Sequence, residues 1–90
     1  MGVKMTVSFY GIISKYTNGD KSYTPKAHST LRGLFEELGD YYGEQFVSFI
    51  NSNEACIVLI NGKGIMLSGG PDSSLGPGDM IEILPFVDAG

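Results

Sequence analysis

The chain has 90 residues, of which 42% are hydrophobic and 18% charged, and its net charge is −4. This length leaves room for one small domain and excludes two separate cores, while the apolar content argues against general disorder. The six lysines and arginines form no cluster, which excludes nucleic-acid binding by neutralisation of phosphates.

Charge is distributed unevenly along the chain. The first 63 residues hold six basic and six acidic side chains, whereas no lysine or arginine follows Lys63. The C-terminal third therefore carries the whole net charge, which favours a basic partner. The acidic residues of this third are Asp72, Asp79, Glu82 and Asp88.

The N-terminal segment predicts a β-hairpin. Apolar and polar residues alternate over 3–10, a period that indicates a strand with one buried face. Asn18-Gly19-Asp20 is a strong turn signal, so residues 21–24 are expected to return antiparallel to the first strand.

The main helix is predicted over residues 31–42. Thr30 and the serine before it offer an N-cap hydroxyl, an apolar stripe follows at helical spacing, and Gly43 can supply the C-terminal cap. Glu36 and Glu37 are expected on the solvated face of this helix.

The remaining chain predicts a short helix and three strands. Apolar spacing over 46–50 suits a short second helix or a packed loop. The continuous apolar run 55–60 predicts an inner strand covered on both faces, which Asn61-Gly62 turns toward residues 65–67. A last strand is expected over 80–84, before Pro85.

This order of elements predicts an α+β fold of the β-grasp (ubiquitin-like) type. The sheet would be mixed, with four to five strands, one main helix and a short second helix, and its first and last strands would lie parallel at the centre. Residues 1–85 would form the domain and 86–90 a flexible tail. The sequence contains neither an apolar signal-peptide core nor a membrane-spanning run, which predicts a cytoplasmic protein without membrane contact.

The internal residues offer no catalytic constellation. His28 and Cys56 are isolated from each other and from other candidate ligands, so no metal site and no Cys–His nucleophilic pair is expected. Cys56 lies in an apolar strand, where burial would raise the pKa of its thiol rather than lower it. Catalysis by the chain alone is therefore not expected.

The C-terminal carboxylate on Gly90 is the remaining chemical handle. A tail with little side-chain bulk can enter a narrow active site, where ATP could convert the carboxylate to an acyl-adenylate open to nucleophilic attack. The alternative is that Gly90 is an ordinary disordered chain end.

Three segments in chain order carry a family resemblance. Residues 75–90, Leu-Gly-Pro-Gly-Asp-Met-Ile-Glu-Ile-Leu-Pro-Phe-Val-Asp-Ala-Gly, resemble the C-terminal signature of the MoaD/ThiS sulfur carriers. Residues 58–62 resemble the inner strand and Asn-Gly turn of that family, and residues 29–38 resemble its helix start. The length and the approach to the tail look closer to the small subunit of molybdopterin synthase than to the shorter thiamine carrier.

The resemblance implies a sulfur carrier. An adenylating enzyme would activate Gly90 with ATP and convert it to a thiocarboxylate, which would deliver sulfur within the large subunit of molybdopterin synthase or another sulfur-accepting enzyme. The chain itself would bind no cofactor. The matching positions near the tail that would contact partners are Leu84, Phe86 and Val87. For Leu84 and Phe86, core packing remains the alternative.

The tail departs from the family pattern at one position. Ala89 stands where the family has the penultimate glycine, and Asp88 adds a charge just before it. A methyl group restricts positive φ and adds bulk in a tunnel shaped for bare backbone. A second class therefore stays open, namely a β-grasp interaction module that binds partners through its sheet and tail without being thiocarboxylated. The receiving pathway is open as well, with thiamine synthesis among the alternatives.

Overall fold

In the computed structural model, the described residues are 4–26, 30–51, 56–65 and 70–85. Within them the chain forms one five-stranded sheet, two α-helices and two short 3-10 segments. The strands are β1 (Thr6–Phe9), β2 (Ser22–Tyr23), β3 (Cys56–Ile60), β4 (Lys63–Gly64) and β5 (Met80–Pro85). The helices are α1 (Leu31–Tyr42) and α2 (Glu44–Asn51), and the 3-10 segments are Gly11–Tyr16 and Gly70–Asp72.

The sheet is mixed and has the strand order β2-β1-β5-β3-β4. β1 and β5 are parallel neighbours with Val7 opposite Ile81, and the other neighbouring strands are antiparallel. The predicted parallel pairing at the centre is confirmed. β5 is therefore held by β1 as far as Ile83 and by β3 as far as Pro85, the last residue before the predicted tail.

The core lies between one face of this sheet and the helices. Val7 of β1 and Ile81 and Ile83 of β5 are fully buried, as are the α1 residues Leu34 and Leu38. Full burial of an aliphatic side chain contributes roughly 1.5–3 kcal/mol, so these positions supply much of the stability of a small domain. The alternation predicted for the first strand is confirmed, because Met5 and Phe9 are buried on the same face.

Helix α1 has the predicted bounds because both of its ends are capped. The side-chain oxygen of Thr30 accepts a hydrogen bond from the amide of Gly33 at 3.3 Å, which satisfies one donor of the first turn. At the other end Gly43 adopts φ +95° and donates its N–H to the carbonyl of Gly39 at 2.8 Å. A side chain at Gly43 would strain that left-handed backbone.

Strand β3 is an inner strand, but the prediction that it is covered on both faces was wrong. Val58 and Ile60 face the core, whereas Ile57 is 40% exposed. The described helices cover only one face of the sheet. The unbroken aliphatic run therefore gives β3 one buried apolar face and one exposed apolar face, not two buried faces. Ala55, at the predicted start, lies outside the described residues.

The strand after β3 is shorter and begins earlier than predicted. Asn61 and Gly62 have φ of +52° and +86°, which makes a two-residue hairpin turn and places Lys63 opposite Ile60. β4 is therefore Lys63–Gly64, rather than a strand over 65–67, of which residues 66 and 67 lie outside the described residues.

Glu37 is not on a fully solvated face, contrary to the prediction. Its carboxylate is half-buried and accepts hydrogen bonds from the Tyr23 hydroxyl at 2.6 Å and from the amide of Lys26 at 3.1 Å. The hydrogen bond to Glu37, with partial burial, raises the pKa of Tyr23 to about 12. Glu37 thus ties α1 to the edge strand β2 and to the segment after it.

Gly39 permits the close approach of α1 and α2. A Cβ built at Gly39 would lie 2.6 Å from Cγ2 of Val47, and a β-branched side chain cannot easily rotate away. We expect Gly39→Ala to lower the free energy of unfolding by about 1–3 kcal/mol, although alanine favours a helix by about 1 kcal/mol. In a Val47→Ala background the same change should stabilise the protein. Urea unfolding of the four chains tests this, and an equal loss in both backgrounds would contradict it.

Candidate functional site

Most of the predicted site lies beyond the described residues. Phe86, Val87, Asp88, Ala89 and the reactive Gly90 are outside them, so their roles stay predictions. Leu84 is described, and Pro85 is the last described residue before the predicted tail. The geometry of the site is therefore the geometry of β5 and of the sheet face around it.

Leu84 lies on the face of the sheet opposite the helices. It is half-buried, does not belong to the buried core, and stands opposite Ile57 in the β3–β5 register. The alternation of the three central strands gives this face, here called the open face, a defined set of side chains. They are Thr6, Ser8, Tyr10, Ile57, Leu59, Met80, Glu82 and Leu84.

The open face carries exposed and half-buried apolar side chains around Glu82, which the register places at its centre. Met80 is 49% exposed and Ile57 is 40% exposed, while Leu59 and Leu84 are half-buried beside them. The polar residues of β1 border these side chains on one side. A contiguous apolar patch with a polar border is typical of a protein-interaction surface, whereas single exposed apolar residues are not informative. Another protein can therefore bind the open face and cover its apolar side chains.

A carboxylate lies within the open face. Glu82 stands opposite Leu59 on one side and Ser8 on the other, and its Oε2 accepts a hydrogen bond from the Tyr10 hydroxyl at 2.9 Å. This hydrogen bond is the main cause that raises the pKa of Tyr10, and loss of solvation is the second cause. Tyr10 therefore fixes the position of the Glu82 carboxylate beside Leu59, which suits a cationic side chain on the opposing surface.

The two family turn motifs form one hydrogen-bonded unit in the structure. The Asn61 side chain donates from Nδ2 to Oδ1 of Asp79 at 3.0 Å and accepts from the amide of Met80 at 2.9 Å. The other Asp79 oxygen accepts from the amide of Gly76 at 2.8 Å. The Asn-Gly turn and the Gly-Asp turn together fix the start of β5, at the end far from the tail.

The described residues hold no cluster that could bind a metal ion. Cys56 is half-buried and burial raises the pKa of its thiol, as predicted, while His28 lies outside the described residues. A shallow groove of about 580 Å³ on the helical side is lined by Tyr16, Glu44, Gln45, Ser48 and Phe49. Its lining contains neither a nucleophile with a neighbouring base nor a set of metal ligands. Of the helices described, none is long and apolar enough to cross a bilayer.

Leu84 is the one open-face residue that was predicted as a site residue; those missed include Tyr10, Ile57, Met80 and Glu82. The period of two along the last strand could have placed Met80 and Glu82 on the same face as Leu84. Ile57 joins them only through the β3–β5 register, and Tyr10 only through its hydrogen bond to Glu82. Neither relation has a signal in the local sequence.

Comparisons with known proteins agree on the fold. A model of the ThiS family matches residues 7–90 of the chain. Among curated protein sequences, none matches significantly. The similar solved structures include CysO from Mycobacterium tuberculosis, which is 25% identical with a TM-score of 0.78 and covers 92% of this chain and 99% of its own.

Two solved complexes also contain similar chains. In the Amycolatopsis orientalis BexX/CysO complex the match is 24% identical with a TM-score of 0.79, covering 96% of this chain and 99% of that chain. In the complex of subunits 1 and 2 of the molybdopterin-converting factor from Helicobacter pylori it is 23% identical with a TM-score of 0.66, covering 98% and 100%. The predicted ubiquitin-like β-grasp fold is thus confirmed.

Proposed function

The chain belongs to the ThiS family of ubiquitin-like sulfur carriers, and from this premise we propose that it carries sulfur as a thiocarboxylate on Gly90 and delivers it in molybdopterin synthesis. The observation that carries the proposal is the reach of the family match, which extends over the tail to residue 90. The domain supplies the surface that partners hold, and the tail supplies the reacting group.

The proposed chemistry uses only the terminal carboxylate of this chain. In the active site of an adenylating enzyme, a carboxylate oxygen of Gly90 attacks the α-phosphorus of ATP and pyrophosphate leaves. A hydrosulfide ion supplied by the sulfur donor then attacks the acyl carbon and loses its proton, and AMP leaves with one of the original carboxylate oxygens. The product is a thiocarboxylate, whose sulfur can pass to an acceptor. ATP is bound by the partner and not by this chain.

The open face supports docking to such partners. The open face includes Leu84, which directly precedes Pro85, the last described residue. A partner that covers this face would therefore have the tail close to the partner's active site. Residues beyond Lys63 carry the whole net negative charge of the chain, and Glu82 places part of that charge within the face. A partner with an apolar surface and a central lysine or arginine fits this arrangement.

The large subunit of a molybdopterin synthase is the recipient we propose. The similarity to a chain in the complex of subunits 1 and 2 of the Helicobacter pylori molybdopterin-converting factor supports this choice. A sulfur carrier for thiamine or another pathway is the alternative, supported by the match to the ThiS family model. Loaded protein offered separately to each class of acceptor distinguishes them. Loss of the thiocarboxylate only with the large subunit and its pterin precursor is the expected result, and loss only with another acceptor would overturn the choice.

One observation favours a second function class. Ala89 replaces the penultimate glycine expected in the family, and this change can hinder entry of the tail into a narrow site. The chain would then be an interaction module that docks through the open face without being loaded. Partner binding without any loading of Gly90 would support this function instead.

Docking through the open face predicts a face-specific loss of affinity. We expect Ile57→Asp to weaken binding to the adenylating enzyme about 30-fold, because the new carboxylate would lose its water in the interface. Val47→Asp is the matched control, since Val47 is 38% exposed, close to the 40% of Ile57, but lies on α2. Isothermal titration of both variants tests the docking, and equal affinities would contradict it.

A further inference from the structure

Glu82 has apolar neighbours on its own strand and on the strand beside it. Met80 and Leu84 lie two residues before and after it on β5, and Leu59 stands opposite it on β3. Glu82 is half-buried, and a protein that covers the open face would remove its carboxylate from water. Removing a charge from water is costly unless the charge is paired. The free energy of covering this face therefore depends on what lies opposite Glu82.

One oxygen of this carboxylate is available to an opposing surface. Oε2 accepts the hydrogen bond from the Tyr10 hydroxyl at 2.9 Å, whereas no described residue donates a hydrogen bond to Oε1. Tyr10 is itself fixed to β5, because its amide donates to the carbonyl of Ile83 at 3.0 Å. The tyrosine supplies a hydrogen bond but no positive charge, so the pair still requires a cation from the opposing surface.

A second copy of the chain has no cation to place there. None of the side chains that define the open face is a lysine or arginine. Lys4 follows the same alternation on β1 but lies four residues before Ser8, and at about 3.3 Å per residue this is about 13 Å from Glu82 along the strand. Lys63 stands opposite the buried Ile60, on the other side of the sheet. Two open faces packed centre to centre would therefore bring two Glu82 carboxylates together.

We propose that Glu82 determines which surfaces the open face binds, an inference that rests on the proposed function for the identity of the partner. A partner with a lysine or arginine opposite Oε1 forms an ion pair and compensates for the lost water. A surface without that cation, a second copy of the chain included, leaves the carboxylate buried and unpaired. Glu82 thereby keeps an apolar face open to its partners and closed to other copies of the chain.

Self-association of Glu82→Leu tests the exclusion of a second copy and needs no partner. The change removes the charge and extends the apolar surface, so we expect the variant to self-associate at least about 30-fold more tightly than the wild type. Glu36→Leu is the matched control, because Glu36 is exposed on α1, away from the open face. It should stay as monomeric as the wild type. Sedimentation velocity compares the three chains, and equal behaviour of the two leucine variants would overturn the inference.

Glu82→Gln tests the need for a cation on the partner. The amide keeps the shape of the side chain and can still accept from Tyr10, so only the charge is lost. We expect this variant to bind the adenylating enzyme about 30-fold more weakly, with an affinity that depends less on salt than that of the wild type. Glu36→Gln should bind like the wild type. Equal affinities for the two glutamine variants would overturn the inference.

These measurements separate the inference from the proposed function, because neither requires a thiocarboxylate. A wild-type chain that binds the adenylating enzyme without being loaded at Gly90 would contradict the proposed function alone. Glu82 would then select the partners of an interaction module by the same pairing.

Discussion

Deletion of Gly90 is expected to abolish sulfur loading and to leave the domain folded. The reacting carboxylate would then belong to Ala89, one residue short of the position that the partner's active site would reach. No described core residue lies beyond Ile83, so we expect the deletion to leave the described core intact. We expect loading to fall below detection by intact-mass analysis while the free energy of unfolding changes by less than about 0.5 kcal/mol, as for surface changes away from packed features.

Ala89→Gly is the companion variant for this prediction. It restores the bare backbone of the family pattern, so we expect it to be loaded at least as fast as the wild type. Loading of Ala89→Gly but not of the wild type would favour the interaction-module function. Loading of the chain that lacks Gly90 would show that the reacting group is elsewhere, and unfolding of that chain would show that the tail is structural.

Asp79→Ala is expected to destabilise the domain by about 1–3 kcal/mol, because both of its carboxylate oxygens accept hydrogen bonds that the variant leaves unmade. One comes from the Asn61 side chain at 3.0 Å and the other from the amide of Gly76 at 2.8 Å. Loss of Asp79 would therefore loosen both turns at the start of β5. Urea unfolding monitored by circular dichroism measures the change.

Asp72→Ala is the matched control, since it removes the same charge and the same side chain. Asp72 pairs with Arg32 at 3.1 Å, but both side chains are exposed, and pairs of this kind contribute less than about 1 kcal/mol. A loss for Asp72→Ala as large as that for Asp79→Ala would mean that the effect comes from net charge. The hydrogen-bonded link between the two turns would then not be a source of stability.

The elements that the sequence predicts well are those with local causes. The bounds of α1 follow from the hydroxyl of Thr30 and the positive φ of Gly43, which are properties of single residues. The parallel pairing of β1 with β5 follows from the order of the elements and from one main helix that must cover one face. For Leu84 the sequence left partner contact and core packing open, and the structure places it half-buried on the open face, outside the buried core.

The features that sequence reasoning missed depend on partners distant in the chain. The exposure of Ile57 is decided by which face the helices cover, and a run of aliphatic residues gives no sign of this. Glu37 is half-buried because Tyr23 reaches it from β2. The Asn61–Asp79 link was likewise predicted as two separate turns, since hydrogen bonds between distant turns leave no local pattern.

If sulfur is carried on the terminal carboxylate, fragment mass spectrometry of the loaded protein should locate it there. The purified chain would be incubated with a cognate adenylating enzyme, ATP and a sulfur donor, then fragmented without reduction. The expected result is a mass change in the fragment that contains Gly90, corresponding to replacement of one carboxylate oxygen by sulfur. A sulfur atom added at Cys56, or no change in a chain that still binds the enzyme, would contradict it.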